Sequence, residues 1–391
     1  MDKVGIYKEY CTGCGLCASI QLVEFETDKM GFPTPILEAS NSKFCEKICP
    51  ASGTLWNYYD SDIWGPYLQT YTGWSTNEAI RKSASTGGIL TALCLYLLEN
   101  GMVDGIIQTR MNEEIPFETV TVISRTPEEV KACMGSRYSV SQPLKSIKQI
   151  IRENERYCFV GKPCDVQALK AYMLCDQGLK DAIPITLSFF CAGMPSKNAQ
   201  KKLLERLDCK EDECLSLKYR GDGWPGFTVV RKKDGSESKI TYGESWRQIL
   251  GRDVRKCCRF CIDGIGTFSD IACGDCWNIK EGKIDVSEDN GRNVIFARSE
   301  IGERLLKEAV DRKYIYLEEY ENKMKDLQIS QYYQHDRKAA MLSMISAMKL
   351  LAKPVPLYPK SILLKYSKHI SVYKRLRRFL GTIKRSLQNK L

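Results

Sequence analysis

The sequence lacks any long hydrophobic run. Its longest strongly apolar stretch, Ile89 to Leu98, is far shorter than the roughly 20 residues that a membrane-spanning helix needs. The first nine residues also lack the apolar stretch of a secretory signal peptide. We therefore expect a cytoplasmic protein whose 18 cysteines stay reduced, rather than a secreted scaffold held by disulfides.

Acidic residues are absent beyond Asp336, whereas residues 338–391 carry thirteen Lys or Arg. The net charge of +10 comes from this tail, and the rest of the chain is nearly neutral. Because the body has neither a second basic stripe nor a recognised binding motif, nucleic acid is not an expected partner.

The tail from Ser361 onward is predicted to form one basic amphipathic helix, because its apolar residues recur at steps of three and four. These residues are Leu363, Tyr366, Ile370, Tyr373, Leu376, Leu380, Ile383 and Leu387. Such a helix can dock on the acidic cytoplasmic face of a membrane, where each basic residue adds about 1 kcal/mol. The alternative is that it packs on the body or on an acidic partner protein.

Cysteines near the start of the chain have the spacing of an iron–sulfur ligand set. Cys11, Cys14 and Cys17 follow one another at steps of three, and Cys49 precedes Pro50 after a gap. A bacterial-type ferredoxin surrounds one 4Fe-4S cube with this pattern. The spacing predicts that these four cysteines hold a 4Fe-4S cluster.

A second cluster is not expected in this segment. Gln21, Ala39 and Ser42 stand where three of its four ligands would lie, which leaves Cys45 spare. The rival interpretation is a zinc-stabilised binding module, although zinc sites usually use two separated pairs of ligands.

The chain divides into three predicted units: a ferredoxin-like domain at 1–60, a mixed body at 79–335 and a helical tail at 336–391. Alternation of helical and β-branched segments predicts an α+β or α/β body. The predicted helices are Gly88–Asn100, Pro127–Ala132, Leu144–Glu155, Val166–Met173 and Ser196–Leu207. The predicted strands are Val103–Gln108, Thr119–Ser124, Tyr157–Val160 and Ile183–Phe190.

Two groups of residues in the body are candidates for cofactor binding. The small-residue loop Ser85–Gly88 opens a helix, where amides and hydroxyls are available to a phosphate, or it is simply a turn. Four cysteines offer the thiolates of a second cube, or they are buried free thiols. They are Cys164, Cys191, Cys258 and Cys261.

Together with 219–226 and 268–275, these segments resemble the beta subunit family of coenzyme F-420 hydrogenases and dehydrogenases over most of residues 1 to about 320. The resemblance implies a flavoprotein body that carries FAD beside a 4Fe-4S cluster. It implies that the four body cysteines hold this second cluster. It further implies a flavin site that includes Ser85, Thr86, Gly87, Gly88, Arg137 and Tyr138.

Several residues stay open under this resemblance. Cys257 is adjacent to Cys258 and is an alternative ligand, and Cys273 and Cys276 have no assigned role. The two histidines, His335 and His369, lie outside the resembling body, so histidine acid–base chemistry is not expected.

The expected function is that of an iron–sulfur flavoprotein oxidoreductase. It would pass electrons between two 4Fe-4S clusters and FAD, and it would reduce or oxidise an unidentified small molecule or a deazaflavin-type coenzyme. Its protein partner would be an electron donor or acceptor such as ferredoxin. The alternatives are an electron-transfer subunit that serves a partner enzyme without a substrate of its own, and the zinc-stabilised module.

Overall fold

The computed structural model describes residues 3–21, 23–59, 62–320 and 324–388. The predicted domain ends at residues 1, 60 and 391 lie outside this range. The helices are α1 (Lys3–Glu9), α2 (Leu16–Gln21), α3 (Ser42–Ile48), α4 (Glu78–Ser83), α5 (Ile89–Glu99), α6 (Pro127–Ala132), α7 (Ile147–Ile150), α8 (Pro163–Met173), α9 (Gln177–Ala182), α10 (Lys197–Arg206), α11 (Lys256–Arg259), α12 (Glu300–Asp311), α13 (Met324–Ser330), α14 (Tyr332–Leu350), α15 (Lys360–Ser367) and α16 (Val372–Leu387). The strands are β1 (Phe25–Thr27), β2 (Pro33–Pro35), β3 (Gln69–Ser75), β4 (Gly105–Met111), β5 (Thr119–Ser124), β6 (Tyr157–Gly161), β7 (Ile185–Phe189), β8 (Cys214–Lys218), β9 (Phe227–Lys232), β10 (Glu237–Thr241), β11 (Ile271–Asp275), β12 (Asn278–Lys280), β13 (Lys283–Asp285), β14 (Asn293–Ala297) and β15 (Ile315–Glu319).

An eight-stranded sheet forms the centre of the body, in the order β15-β3-β14-β11-β7-β6-β4-β5. The middle strands β11, β7, β6 and β4 run parallel, and antiparallel strands flank them on both sides. Parallel strands covered on both faces are buried along most of their length, as β6 and β7 are here. The predicted mixed α/β architecture is therefore confirmed.

Most helices of the body begin where their sequence signals place them. Thr126 accepts a hydrogen bond from the amide of Glu129 in a capping box, and Pro127 opens α6 as predicted. Ser196 caps α10 in the same manner, through the amide of Ala199. The predicted helices at α5, α8 and α10 and the four predicted strands occur within three residues of their expected ends.

The predicted helix Leu144–Glu155 is wrong, because only the single turn of α7 forms there. Tertiary contacts take its backbone groups instead. The amide of Leu144 donates to the carbonyl of Cys14 at 2.9 Å, and the amide of Lys148 donates to Ser19 Oγ at 3.0 Å. Residues 144–148 therefore dock onto the N-terminal segment rather than continuing a helix.

The N-terminal segment consists of α1, α2, α3 and the β1–β2 hairpin, and its apolar side chains join the body's core. The ring centroids of Tyr10 and Phe260 lie 5.6 Å apart, and those of Trp56 and Phe268 lie 4.8 Å apart. One hydrophobic cluster contains side chains from this segment, from the body and from the tail. Both ends of the chain thus pack against the same side of the body.

The tail differs from its prediction. It forms two helices, α15 and α16. The helix is interrupted at residues 368–371, and the side chain of Ser371 caps the second helix by accepting a hydrogen bond from the amide of Lys374. Leu363 and Tyr366 on α15 are buried, whereas Leu376 on α16 is exposed. In the part of the chain that the structure describes, no helix is long and apolar enough to cross a membrane.

Candidate functional site

The cysteines of the N-terminal motif surround one cavity, called here the outer cavity. Two of them lie in the loop between α1 and α2, one lies on α2, and two lie on or directly after α3. The thiols that line it are Cys11, Cys14, Cys17, Cys45 and Cys49. All four predicted ligands are therefore brought together, and Cys45 joins them as a fifth.

Glycines allow the loop between α1 and α2 to wrap the outer cavity. Gly13 and Gly15 both adopt positive φ, of 74° and 85°, which strains any other residue. The amide of Gly13 donates to Cys11 Sγ at 3.3 Å. A Cβ on Gly15 would lie 2.9 Å from the backbone of Lys145, so the loop also needs glycine to dock on the body.

The body cysteines surround a second cavity, called here the inner cavity. Separate elements supply them: the first turn of α8, the end of β7, and α11 with the residues after it. The thiols that line it are Cys164, Cys191, Cys257, Cys258 and Cys261. The four predicted ligands again come together, with Cys257 as a fifth.

The two cavities are neighbours. Thr12, between two cysteines of the N-terminal motif, lines both of them. Arg255 has only 5% of its surface exposed and is close enough to interact electrostatically with Cys11 of the outer cavity and with Cys257 and Cys258 of the inner one. Its Nη2 donates to the carbonyl of Pro33 at 2.7 Å.

Arg337 of α14 brings a second buried cation to the inner cavity. Its Nη1 donates to the carbonyl of Cys258 at 3.2 Å, and its Nη2 donates to the carbonyl of Cys191 at 3.4 Å. A cluster held by four thiolates carries net negative charge. Arg337 is therefore placed to offset that charge.

The thiols of both cavities are chemically suited to metal binding. Burial raises the pKa of Cys14 and of Cys191 to about 12, so neither ionises by itself near pH 7. For Cys258, a hydrogen bond from Cys257 lowers the pKa instead. A bound metal deprotonates a coordinating thiol outright, and both sites therefore fit a group that supplies several metal ions.

The arrangement of the thiols bears on the choice between a cluster and a single ion. Zinc needs its four ligands gathered at about 2.3 Å around one point. Within the described ranges, no three His, Cys, Asp or Glu side chains converge closely enough to hold a single metal ion. Five thiols line each cavity, which is enough for the four ligands of one iron–sulfur cube.

The predicted flavin residues fall into two groups in the structure. Ser85 Oγ accepts a hydrogen bond from the amide of Ser136 at 2.5 Å, so the Ser85 loop meets the segment of Arg137. Thr86 and Gly87 face the sheet instead. Thr86 Oγ1 donates to the carbonyl of Arg292 at 3.1 Å, and a Cβ on Gly87 would lie 2.8 Å from the carbonyl of Gly73.

Gly88 begins α5 with a positive φ of 78° and caps it without a side chain. Gly87 therefore serves close packing, and Gly88 serves the turn into the helix. Tyr138 packs its ring on Tyr219 and Trp246, with centroids 5.4 and 4.7 Å away. The structure thus gives three of these residues a local structural role.

Arg137 is the charged residue of this region. Burial lowers its pKa, and no carboxylate of the described residues lies within ion-pair distance of it. Its Nη1 and Nη2 donate to the carbonyls of Ser136 and Met134, at 3.1 and 3.2 Å. Its buried Nε has no hydrogen-bond partner among the described residues. Because a mostly buried cation without a charge partner is costly, an anion near Arg137 would stabilise it.

Sequence reasoning missed the two arginines at the cavities, whereas it named Cys257 as an alternative ligand and Cys45 as a spare cysteine. Arg255 stands two residues before Cys257, so its position beside a cysteine pair was a usable signal. Arg337 lies outside every cysteine motif, and only the packing of α14 brings it to the inner cavity. Cys273 and Cys276, left open above, are buried in the hydrophobic core.

Comparison with known proteins places most of the body in one family. The family of coenzyme F420 hydrogenase and dehydrogenase beta subunits is described in two parts, and both match this chain. The N-terminal part matches residues 70–148, and the C-terminal part matches residues 154–323. Coenzyme F420 hydrogenase subunit beta of Methanococcus voltae is 26% identical over 262 residues, which cover 63% of this chain and 82% of that protein.

Two further relatives extend the comparison. F420-dependent formate dehydrogenase subunit beta of Methanocaldococcus jannaschii is 25% identical over 230 residues, which cover 56% of this chain and 57% of that protein. A chain of the F420-reducing [NiFe] hydrogenase complex from Methanosarcina barkeri has a similar fold, with a TM-score of 0.59 at 20% identity over 76% of this chain and 98% of that one. The cysteine motif at 11–49 and the tail helices α14 to α16 lie outside both family descriptions. From residue 70 to residue 323, with the cysteines of the inner cavity and the loop of Ser85, the chain belongs to the coenzyme F420 hydrogenase/dehydrogenase beta subunit family.

Proposed function

We propose that this protein is an iron–sulfur electron-transfer subunit of an oxidoreductase, with one 4Fe-4S cluster in each cysteine-lined cavity. The observation that carries the proposal is the adjacency of two cavities that each present five thiols and share Thr12. Family membership supports it, because named relatives are subunits of hydrogenases and of formate dehydrogenases.

The ligands of the outer cluster would be Cys11, Cys14, Cys17 and Cys49, and those of the inner cluster would be the four predicted cysteines of the body. Bound clusters of this type take up and release single electrons, at potentials that hydrogen bonds to sulfur adjust. The chain supplies such bonds on both sides. Gly13 donates its amide to Cys11 Sγ, and Met194 donates its amide to Cys258 Sγ at 3.3 Å.

A short route between the cavities supports transfer inside one chain. Thr12 touches both cavities, and Arg255 interacts electrostatically with thiols of both. The N-terminal segment would therefore exchange electrons with a protein donor or acceptor, such as ferredoxin or a partner enzyme. The body would pass them on, and the direction of flow follows from the potentials of the two sites.

Metal analysis of the protein purified without oxygen tests this proposal. We expect roughly eight irons and eight sulfides per chain, four of each per cluster. About four irons per chain would mean that only one of the two proposed clusters is present. Zinc in place of iron would overturn the proposal and favour the zinc-stabilised module.

A second candidate function is that of a flavoprotein enzyme with its own small-molecule substrate or deazaflavin-type coenzyme. The observation that favours it is the mostly buried Arg137, which has no carboxylate partner and lies in the segment that meets Ser85. Guanidinium, hydroxyl and helix amides together suit the phosphates of FAD.

Flavin analysis separates the two functions. If FAD binds here, extraction of the purified protein yields about one flavin per chain, and Arg137→Gln lowers this at least tenfold. Arg231→Gln is the matched control, since Arg231 is an exposed arginine paired with Glu237 at 2.6 Å. Protein without flavin, even after incubation with FAD, would leave the electron-transfer subunit as the sole candidate.

A further inference from the structure

Helix α16 presents an apolar stripe to solvent. Tyr373, Leu376, Leu380 and Leu387 are 73%, 56%, 55% and 69% exposed. At 3.6 residues per turn these positions fall on one side of the helix. A helix that lies on a protein body normally turns its apolar side inward, and α16 does the reverse.

The inward side of α16 is polar and anchored. Thr382 and Ser386 are buried against the body, although both carry hydroxyls. Lys353 Nζ donates to the carbonyl of Ser386 at 3.1 Å, and Lys374 Nζ lies 3.9 Å from Asp336 Oδ2 at the other end of the helix. These contacts hold α16 along α14, so the stripe faces away from the body.

Positive charge borders the stripe. Arg377 and Lys384 are exposed and lie next to it on the helical projection, and Lys374 and Arg378 are exposed on the same helix. No acidic residue follows Asp336, which lies near Lys374, so the tail has far more basic than acidic residues. A partner that binds this surface must therefore combine an apolar interior with a high density of negative charge.

We propose that α16 docks this protein on the surface of an anionic lipid bilayer. The stripe would enter the boundary between headgroups and acyl chains, where Tyr373 suits the interface, and Arg377 and Lys384 would lie against lipid phosphates. An acidic groove on a protein would have to match a narrow stripe and its flank in shape. A bilayer needs only the charge and the apolar depth that α16 already shows.

Flotation of the full chain with lipid vesicles tests the proposal. Protein purified without oxygen is mixed with phosphatidylcholine vesicles, with or without phosphatidylglycerol. We expect flotation only when phosphatidylglycerol is present, and loss of flotation at high salt because screening weakens the attraction. Flotation with both kinds of vesicle, or with neither, would overturn the proposal.

Two double variants separate the stripe from its basic flank. Leu376→Glu with Leu380→Glu abolishes flotation, and Arg377→Gln with Lys384→Gln lowers the partition coefficient roughly tenfold or more. The matched controls are Leu174→Glu, at an exposed leucine outside the tail, and Arg304→Gln with Lys307→Gln, at two exposed basic residues of α12. Circular dichroism and iron content report whether each variant folds. Folded variants that float as the wild type does would overturn the proposal, as would controls that stop floating.

Discussion

The outer and inner cavities present the same chemistry from two kinds of chain segment. The outer cavity takes its thiols from 39 consecutive residues, Cys11 to Cys49. The inner cavity takes its thiols from three separate places between Cys164 and Cys261, which the central sheet brings together. A local motif specifies the first site, whereas the second exists only once the body is folded.

The largest expected effect comes from removing one ligand from each cavity. Cys14→Ala should lose about half the iron and keep the inner cluster, and Cys261→Ala should lose the other half, because each cube depends on its own thiolates. Iron and sulfide analysis after anaerobic purification measures this. Cys175→Ala, at an exposed cysteine, is the control that keeps all the iron. Complete loss of iron from either single change would mean that the two sites do not form independently.

The surroundings of the inner cavity include a buried lysine, and its charge gives a prediction about stability. Lys338 is 1% exposed, and its Nζ lies 5.0 Å from the ring centroid of Tyr366 and has no hydrogen-bond partner among the described residues. Burial lowers its pKa from 10.5 to about 7. The unfolded chain therefore binds more protons than the folded one between these values, and Lys338 makes stability rise with pH across that window.

Lys338→Met should remove that rise and stabilise the protein most at and below pH 7, because the folded state no longer has to bury a charge. Denaturant unfolding under anaerobic conditions at several pH values measures it, with Lys349→Met at the exposed end of α14 as control. Wild-type and Lys338→Met curves that stay parallel across pH would contradict the assignment.

The two buried arginines should affect the two sites differently. Arg255 interacts with thiols of both cavities, whereas Arg337 contacts the inner one. Arg255→Gln should lower the reduction potentials of both clusters by tens of millivolts, since a lost positive charge disfavours the reduced state. Arg337→Gln should lower only the inner potential, because Arg337 contacts backbone carbonyls of Cys191 and Cys258. Redox titration followed by electron paramagnetic resonance measures both.

Arg255→Lys keeps the charge and is the matched control for that experiment. If Arg255→Gln changed the reduction potential of one cluster only, the charge of Arg255 would act on that cluster alone, which would contradict its proposed influence on both.

The smallest expected effect is at the fifth thiol of each cavity. Cys45→Ala and Cys257→Ala should both keep the full iron content, since four other thiols remain around each site. For Cys257 we also expect a small change in the visible spectrum, because Cys257 Sγ lies 4.0 Å from Cys258 Sγ. A loss of half the iron would make the fifth thiol a ligand and exclude one of the predicted four.

The convergence of the outer cysteines and the positions of the main strands follow from the sequence for a physical reason. A cube needs closely spaced thiolates, and a loop with glycines at 13 and 15 can wrap it, so the motif carries its own geometry. Strands such as Tyr157–Gly161 are predictable because they are buried and apolar. The inner site could be predicted only from the family resemblance. Its cysteines are far apart in the sequence, and only the folded body brings Cys164 of α8 and Cys191 after β7 together.

Other features depend on contacts that no local pattern contains. The helix predicted at Leu144–Glu155 gives way to docking on the N-terminal segment, through the amide of Leu144. Arg337 reaches the inner cavity only because α14 packs across it. The tail has a helical period throughout, yet α15 buries its apolar residues and α16 exposes them, and periodicity alone cannot say which surface a partner covers.

The most direct test of two neighbouring clusters is the electron paramagnetic resonance spectrum of the fully reduced protein. We predict a signal broadened and split by magnetic interaction between the clusters, which becomes a simple signal in Cys14→Ala and in Cys261→Ala. A wild-type spectrum equal to the sum of the two variant spectra would contradict the account, because it would show two clusters too far apart to interact.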